Sequence, residues 1–310
     1  MNGVISCKYC NSSSVVKFGT YKGVQRYFCK DCQRKFVNKD TLLKMKMPVS
    51  VISSAMSCYY GGMPLDQVQR HLEQQHGVYL SERGIYNWIV RFSKEAIDKA
   101  GTFKPKIGDT WVCDETMLDI EGDKVWYFDI IDKDSRFLLA SRLSKGRSIN
   151  DAVALFQTAN ARAGRIPRRI ITDGANVYPD AVERVYGADT KHISSKPFVD
   201  TDSTNVIERF HGTLKQRTNV IRGFKNMAHA KLLTDAWLVH YNFFKEHESL
   251  DNLPPAVAMK LDVPFKDWGE VVRQTKVILP RRKPVKRIIR KRRPMRRAIT
   301  PSIVVSRVRR

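Results

Sequence analysis

The chain has 310 residues, enough for two or three compact units, and a formal net charge of +24 from 55 Lys+Arg against 31 Asp+Glu. Fourteen of the basic residues lie within 281–310, where there is no acid, and the rest of the chain still carries +10. Such a balance favours a polyanionic partner, because each phosphate neutralised by Lys or Arg releases condensed counterions; an anionic membrane surface is the rival reading. There is no uncharged run of about 18 residues to span a bilayer, and Cys7, Lys8 and Cys10 stand where a signal peptide would be apolar. A cytoplasmic protein is expected.

Residues 1–40 are polar and hold four of the six cysteines in two CxxC pairs, leaving only Cys58 and Cys113 elsewhere. Cys7 and Cys10, then 18 residues, then Cys29 and Cys32, match the spacing of a four-thiolate zinc site. Each pair puts two sulfurs on one tight turn. No βαβ pattern surrounds either pair, which argues against a redox dithiol. Tyr9, Phe18, Tyr27, Phe28 and Phe36 would supply a small core beside the metal. Lys8, Lys17, Lys22, Arg26, Lys30, Arg34 and Lys35 make a basic surface that suits either DNA or plain solvation.

Residues 41–100 read as an all-α module, with helices over 49–60, 64–75 and 81–96. Pro64 suits a first turn and Ser81 an N-cap. Ile85, Trp88, Ile89 and Phe92 form a core stripe. The pair of helices around Gly77 resembles a helix-turn-helix, whose second helix would turn Arg83 and Asn87 toward base edges in the major groove. A three-helix spacer without base contacts is the alternative.

Residues 101–280 are read as an α/β core. Strands are expected over 110–120, 124–132 and 137–143, then a helix over 148–163, a short strand over 168–172, and helices from 204 to 245. This is the order of an RNase H-like mixed sheet, in which the first and fourth strands are neighbours. Residues 281–310, rich in Arg, Lys and Pro, are expected to be a flexible basic arm.

Three acids fall where that fold could bring them together. Asp114 lies in the first strand, Asp173 ends the fourth, and Glu208 follows 34 residues later on a helix. On that helix Ile207, Phe210 and Leu214 form the buried seam, whereas Thr204, Glu208 and Lys215 form a separate stripe. Clustered carboxylates repel one another unless a cation sits between them, so the cluster implies hard divalent ions of the Mg²⁺ or Mn²⁺ kind. Strand alternation turns Glu115 to the face opposite Asp114 and so away from the cluster. Asp129, Asp132 and Asp134 read as strand-end and turn residues, and His192, His211 and His247 as isolated ones.

The stretches Trp111-Val112-Cys113-Asp114-Glu115-Thr116, Ile171-Thr172-Asp173-Gly174 and Asn205-Val206-Ile207-Glu208-Arg209-Phe210-His211-Gly212-Thr213-Leu214-Lys215 resemble the DDE transposases of prokaryotic insertion sequences. Gly223-Phe224-Lys225, Tyr241-Asn242-Phe243, His247-Glu248-Ser249-Leu250 and Pro254-Pro255-Ala256 are similar to the downstream elements of that family. The resemblance covers roughly 105–260. It implies that Asp114, Asp173 and Glu208 are catalytic acids binding magnesium or manganese, and that Lys215 lies against double-stranded DNA. It also implies cleavage and strand transfer at element ends, a dimer or larger homo-oligomer, and association with the nucleoid. A non-catalytic DNA-binding regulator derived from such an enzyme, and a nuclease that cuts without joining, are the rival functions.

Overall fold

The computed structural model describes residues 5–21, 23–38, 45–195, 204–221 and 223–275. The arm at 281–310 therefore lies outside the described residues.

The N-terminal unit is a three-stranded antiparallel sheet of β1 (Val15–Tyr21), β2 (Val24–Cys29) and β3 (Lys35–Val37), in that order. Val15, Tyr27 and Phe36 pack with Cys7, Cys29 and Tyr9 into its small core. Each CxxC turn is followed by a left-handed residue, Asn11 (φ 57°) and Gln33 (φ 53°), which curls the backbone around the sulfurs.

Three helices follow: α1 (Val49–Tyr60), α2 (Leu65–His76) and α3 (Glu82–Ala100). Gly77 ends α2 in the left-handed region (φ 61°), and the Ser81 hydroxyl accepts from the Gly84 N–H at 3.2 Å to cap α3. Ile85, Ile89 and Phe92 are wholly buried, as the stripe requires.

The remainder is built on a five-stranded mixed sheet. Its strands are β4 (Thr110–Ile120), β5 (Asp123–Asp132), β6 (Leu138–Ser144), β7 (Arg169–Thr172) and β8 (Lys191–Ser194), in the order β6-β5-β4-β7-β8. β4, β5 and β6 pair antiparallel, whereas β7 runs parallel to β4 and β8 parallel to β7. This is the RNase H-like arrangement expected from the order of elements. Its helices are α4 (Ile149–Ala163), α5 (Val177–Tyr186), α6 (Asn205–Ile221), α7 (Met227–Phe243), α8 (Pro255–Ala258) and α9 (Trp268–Gln274). Ser148 and Asp151 form a capping box at the start of α4.

Two downstream motifs acquire physical roles. The Asn242 side chain accepts from the Leu138 N–H at 2.9 Å and donates to the Leu138 carbonyl at 3.0 Å, standing in for a strand partner of β6. Gly223, at φ 92°, lets the chain leaving α6 turn so that Phe224 exchanges backbone hydrogen bonds with Asp119 and Glu121 at the β4–β5 hairpin. α1 and α3 share one continuous core with the sheet and the last helices. Tyr60 stacks on Trp268 at 4.9 Å and hydrogen-bonds Ser93, which ties α1 to both α9 and α3.

Candidate metal and active site

In β4 the parallel register with β7 runs through Val112↔Ile171, so β4 continues beyond the end of its shorter neighbour. Asp114 lies just past that point, and Asp173 is the first residue after β7. Oxygens of Asp114, Glu115 and Asp173 come within 4.8 Å of one another. Octahedral oxygen ligands of one Mg²⁺ at 2.0–2.1 Å lie about 2.9 Å apart when adjacent and about 4.2 Å apart when opposite, so an ion would draw these carboxylates closer together. The donors are hard carboxylate oxygens, and the set fits Mg²⁺ or Mn²⁺.

Burial pushes the Asp114 carboxyl up to about 7, opposed by the hydrogen bond from the Glu115 N–H and reinforced by Glu115, Asp173 and Glu208. Glu208 is thus near enough for its charge to be felt at Asp114, although its oxygens are outside the tight group. It is exposed in the first turn of α6 and accepts from the Thr204 hydroxyl at 2.8 Å. Ile207, Phe210 and Leu214 are buried, so the seam and the polar stripe of α6 lie where the periodicity put them.

Glu115 departs from expectation. It does turn to the opposite face, toward Tyr178 of α5 and Arg147 ahead of α4, both of which bond its carboxylate. Because β7 has already ended, however, Asp173 is reachable from either face, and alternation does not remove Glu115 from the cluster. Arg147 also reaches Asp173 at 3.8 Å and lies over the Trp126 ring, so one guanidinium spans two of the three acids. Burial raises the Glu115 carboxyl above its ordinary value, against the lowering effects of Tyr178 and Arg147.

His211 and Asp129 are not the isolated histidine and strand-end acid expected from sequence. Asp129 lies mid-strand in β5, directly opposite Asp114, and is fully buried. His211, one turn after Glu208 on α6, stands between them, with Nε2 3.2 Å from Asp129 Oδ2 and Nδ1 3.5 Å from Asp114 Oδ2. Burial pushes Asp129 well up and His211 down to about 4, so the pair carries no net charge behind Asp114. The sequence signal was available: a histidine three positions after Glu208 must share its face of the helix. Asp132 does serve a turn, accepting from Ser135 and from the Gly108 N–H.

Lys215 is exposed two turns beyond Glu208, on the wall of a cleft of about 1130 Å³ that Glu115, Thr116, Lys124, Trp126 and Lys225 also line. Arg83 and Asn87 are exposed one turn apart on α3. Arg83 lines a second cleft, of about 1160 Å³, with Asn219, Val220 and Ile221 at the end of α6 and Gly223, Phe224 and Lys225 after it.

At the N-terminus the sulfurs of Cys7, Cys10, Cys29 and Cys32 all lie within 4.8 Å of one another, with Cys7–Cys32 and Cys10–Cys29 each at 3.6 Å. Zinc–sulfur bonds of 2.3 Å place tetrahedral sulfurs about 3.8 Å apart, so the four thiols fit Zn²⁺. Backbone N–H groups of Cys32 and Asp31 hold the Cys29 thiol down to about 7, toward the thiolate that binds metal.

Residues 108–247 match the DDE domain family. The match covers a little under half of the chain. A protein of transposable element ISH50 from Halobacterium salinarum, itself uncharacterized, is 31% identical over 91 residues, or 29% of this chain. The match spans 30% of that relative's length. Among solved structures, the magnesium-bound catalytic core domain of HTLV-2 integrase in its trimeric form is 15% identical, with a TM-score of 0.37, covering 48% of this chain and 95% of that one. A chain of the simian T-cell lymphotropic virus intasome, solved with PP2A regulatory subunit B56 gamma, is 17% identical with a TM-score of 0.36, covering 75% and 79%. Among the described residues no helix is long and apolar enough to cross a membrane.

Proposed function

We propose that the protein is a DNA transposase that binds the ends of its element, cleaves a phosphodiester to free a 3′-hydroxyl, and joins that hydroxyl to target DNA. The observation that carries the reading is the meeting of Asp114 and Asp173 at adjacent strand ends within a DDE domain, with Glu208 and Lys215 on the helix beside them.

Asp114, Asp173 and Glu208 would hold divalent ions, which supply a Lewis acid for the scissile phosphate and lower the pKa of the attacking oxygen. The acids suit this role because Asp114, whose carboxyl is raised first by burial and then by the charges of Glu115, Asp173 and Glu208, would be held ionised by a cation. Lys215, Lys124 and Lys225 line the cleft leading from Glu115, placing positive charge along a bound strand. Arg147 neutralises Glu115 and steadies Asp173. In the first step water attacks phosphorus and the 3′ oxygen leaves. In the second, that 3′-hydroxyl attacks a target phosphodiester and the target's own 3′ oxygen leaves. Both are in-line transfers at one site and need no covalent bond to the protein. The ribbon (1–40), the helices of 41–100 with Arg83 and Asn87, and the basic arm (281–310) would hold the DNA, and two ends require at least two protomers.

The test uses full-length protein, Mg²⁺ or Mn²⁺, and duplexes carrying the terminal inverted repeats that flank the gene. Asp114→Asn, Asp173→Asn and Glu208→Gln should each abolish cleavage and joining while DNA binding persists. Wild-type strand transfer by any of the three would sink the assignment, and loss of DNA binding together with activity would show a folding defect instead.

A further inference from the structure

One sheet face of the N-terminal ribbon has no role in metal binding or in its core. Residues paired across β1, β2 and β3 share faces, and Val16↔Phe28 and Phe28↔Lys35 set one of them. Val15, Tyr27 and Phe36 point the other way, onto the cysteines. The outward face holds Phe18, 5.9 Å from Phe28, with Tyr21 beyond it at the end of β1. Val16, Phe18 and Tyr21 are 38%, 37% and 62% exposed, three large apolar side chains on one seven-residue strand. Isolated exposed apolar residues are ordinary; three on one face, ringed by charge, mark a contact surface.

The cations there are aimed at rings. The Lys35 ammonium lies 3.8 Å from the centre of the Phe18 ring. The Arg26 guanidinium lies 5.6 Å from Phe18 and 5.7 Å from Tyr21, and its Nε has no hydrogen-bond partner among the described residues. Across 5–38 there are seven basic residues and a single acid, Asp31. A tetrathiolate zinc site contributes a net charge of −2 and leaves the unit at +4. An apolar protein partner has no use for that excess, and a polyanion does. A base stacking on Phe18 would displace the Lys35 ammonium from the ring face onto a phosphate, and base stacking on aromatics is available only where bases are unpaired.

We propose that the outer face of the ribbon, built on Phe18, Tyr21, Arg26 and Lys35, binds single-stranded DNA by stacking unpaired bases on Phe18 and Tyr21. The surface is remote in sequence from the acids, and the inference does not depend on their assignment. On a transposase such a face would hold strands frayed at a cleaved end.

The test compares full-length, zinc-loaded protein carrying Phe18→Ala and Tyr21→Ala with wild type. Binding of a labelled single-stranded oligonucleotide and of its duplex is measured by anisotropy across a salt series. The double variant should lose single-strand affinity at least about tenfold and duplex affinity by less than about threefold. The single-strand loss should persist at high salt, because stacking is not screened as phosphate contacts are. Phe18→Tyr, which keeps a ring, should restore binding, and Leu261→Ala, an exposed apolar side chain outside the proposed DNA-binding segments, should have no effect. Zinc content reports the fold of the ribbon; if the double variant loses zinc, Tyr21→Ala alone, at the most exposed of these positions, is read instead. Equal losses on single strand and duplex would overturn base stacking. Unchanged affinity for both, with or without a shift in oligomeric state, would assign the face to protein contact and overturn the proposal.

Discussion

Asp114→Asn is expected to stabilise the metal-free protein while disabling its metal site. The carboxyl is raised from 3.8 to about 7, chiefly by burial. Three pKa units at about 1.4 kcal/mol each give a ceiling of about 4 kcal/mol, and relaxation of the neighbouring acids reduces this to roughly 2–4 kcal/mol. Asparagine keeps an acceptor oxygen for the Glu115 N–H, which bonds Asp114 Oδ1 at 2.8 Å, so the local geometry survives. Between about pH 4 and about pH 7 the folded acid holds a proton that the unfolded chain has released, so this group's contribution makes stability fall as pH rises through that window. The gain from the substitution is therefore full above about pH 7 and about a third as large at pH 5. At roughly 2–4 °C per kcal/mol for a unit of this size, Tm should rise by roughly 5–10 °C at pH 8. Scanning calorimetry from pH 5 to 8 without added divalent ions measures it; a chelator must be avoided, because it would strip the ribbon. Millimolar Mg²⁺ should raise Tm of the wild type and leave the variant unmoved. A variant less stable than wild type at pH 8, or a gain equal at pH 5 and pH 8, would refute the reasoning.

Purified protein should hold one Zn²⁺ per chain by metal analysis, and Cys29→Ser should lose it together with protection of residues 5–38 from proteolysis; protein prepared without chelators and free of zinc removes the claim. Glu115→Gln should weaken Mn²⁺ binding and lower cleavage by roughly an order of magnitude, because Arg147, released from one of its two acids, is free to pair with Asp173 instead; an unchanged rate would make Glu115 a bystander. Lys215→Ala should reduce strand transfer by roughly tenfold without abolishing it, through weaker DNA binding at an intact metal site, and complete loss would move Lys215 into the chemistry. Deleting 281–310 should weaken specific and random duplexes about equally and flatten the slope of log K against log salt; an unchanged slope would show that the arm contacts something other than phosphate.

What could be read in advance follows from the range of each interaction. The cysteine cluster and the elements from α1 to β7 were legible because their signals are local: cysteine spacing, Ser81 and Ser148 at helix starts, apolar stripes such as Ile85–Ile89–Phe92. β8 escaped notice because it is only four residues long and is held by parallel pairing to β7 across the intervening α5. The site was misread at the same limit. Period-two alternation is a property of one strand, and for Glu115 it gave the correct face. Whether that face matters depends on where the neighbouring strand stops, and β7 stops at Thr172, opening the sheet to both sides at Asp173. Asp129 repeats the lesson. In sequence it is one of three acids near a turn, and only the register Asp114↔Asp129 makes it the buried partner of His211. Neither residue could have been chosen from composition, since an acid at 129 would pair with a different face had the β4–β5 hairpin closed one residue differently. The acids proposed to bind metal were thus visible as spaced positions along the chain, whereas the residues packed around them are set by the pairing of strands. Substitutions at Glu115, Arg147 or His211 are therefore the ones whose effects a sequence pattern would have missed.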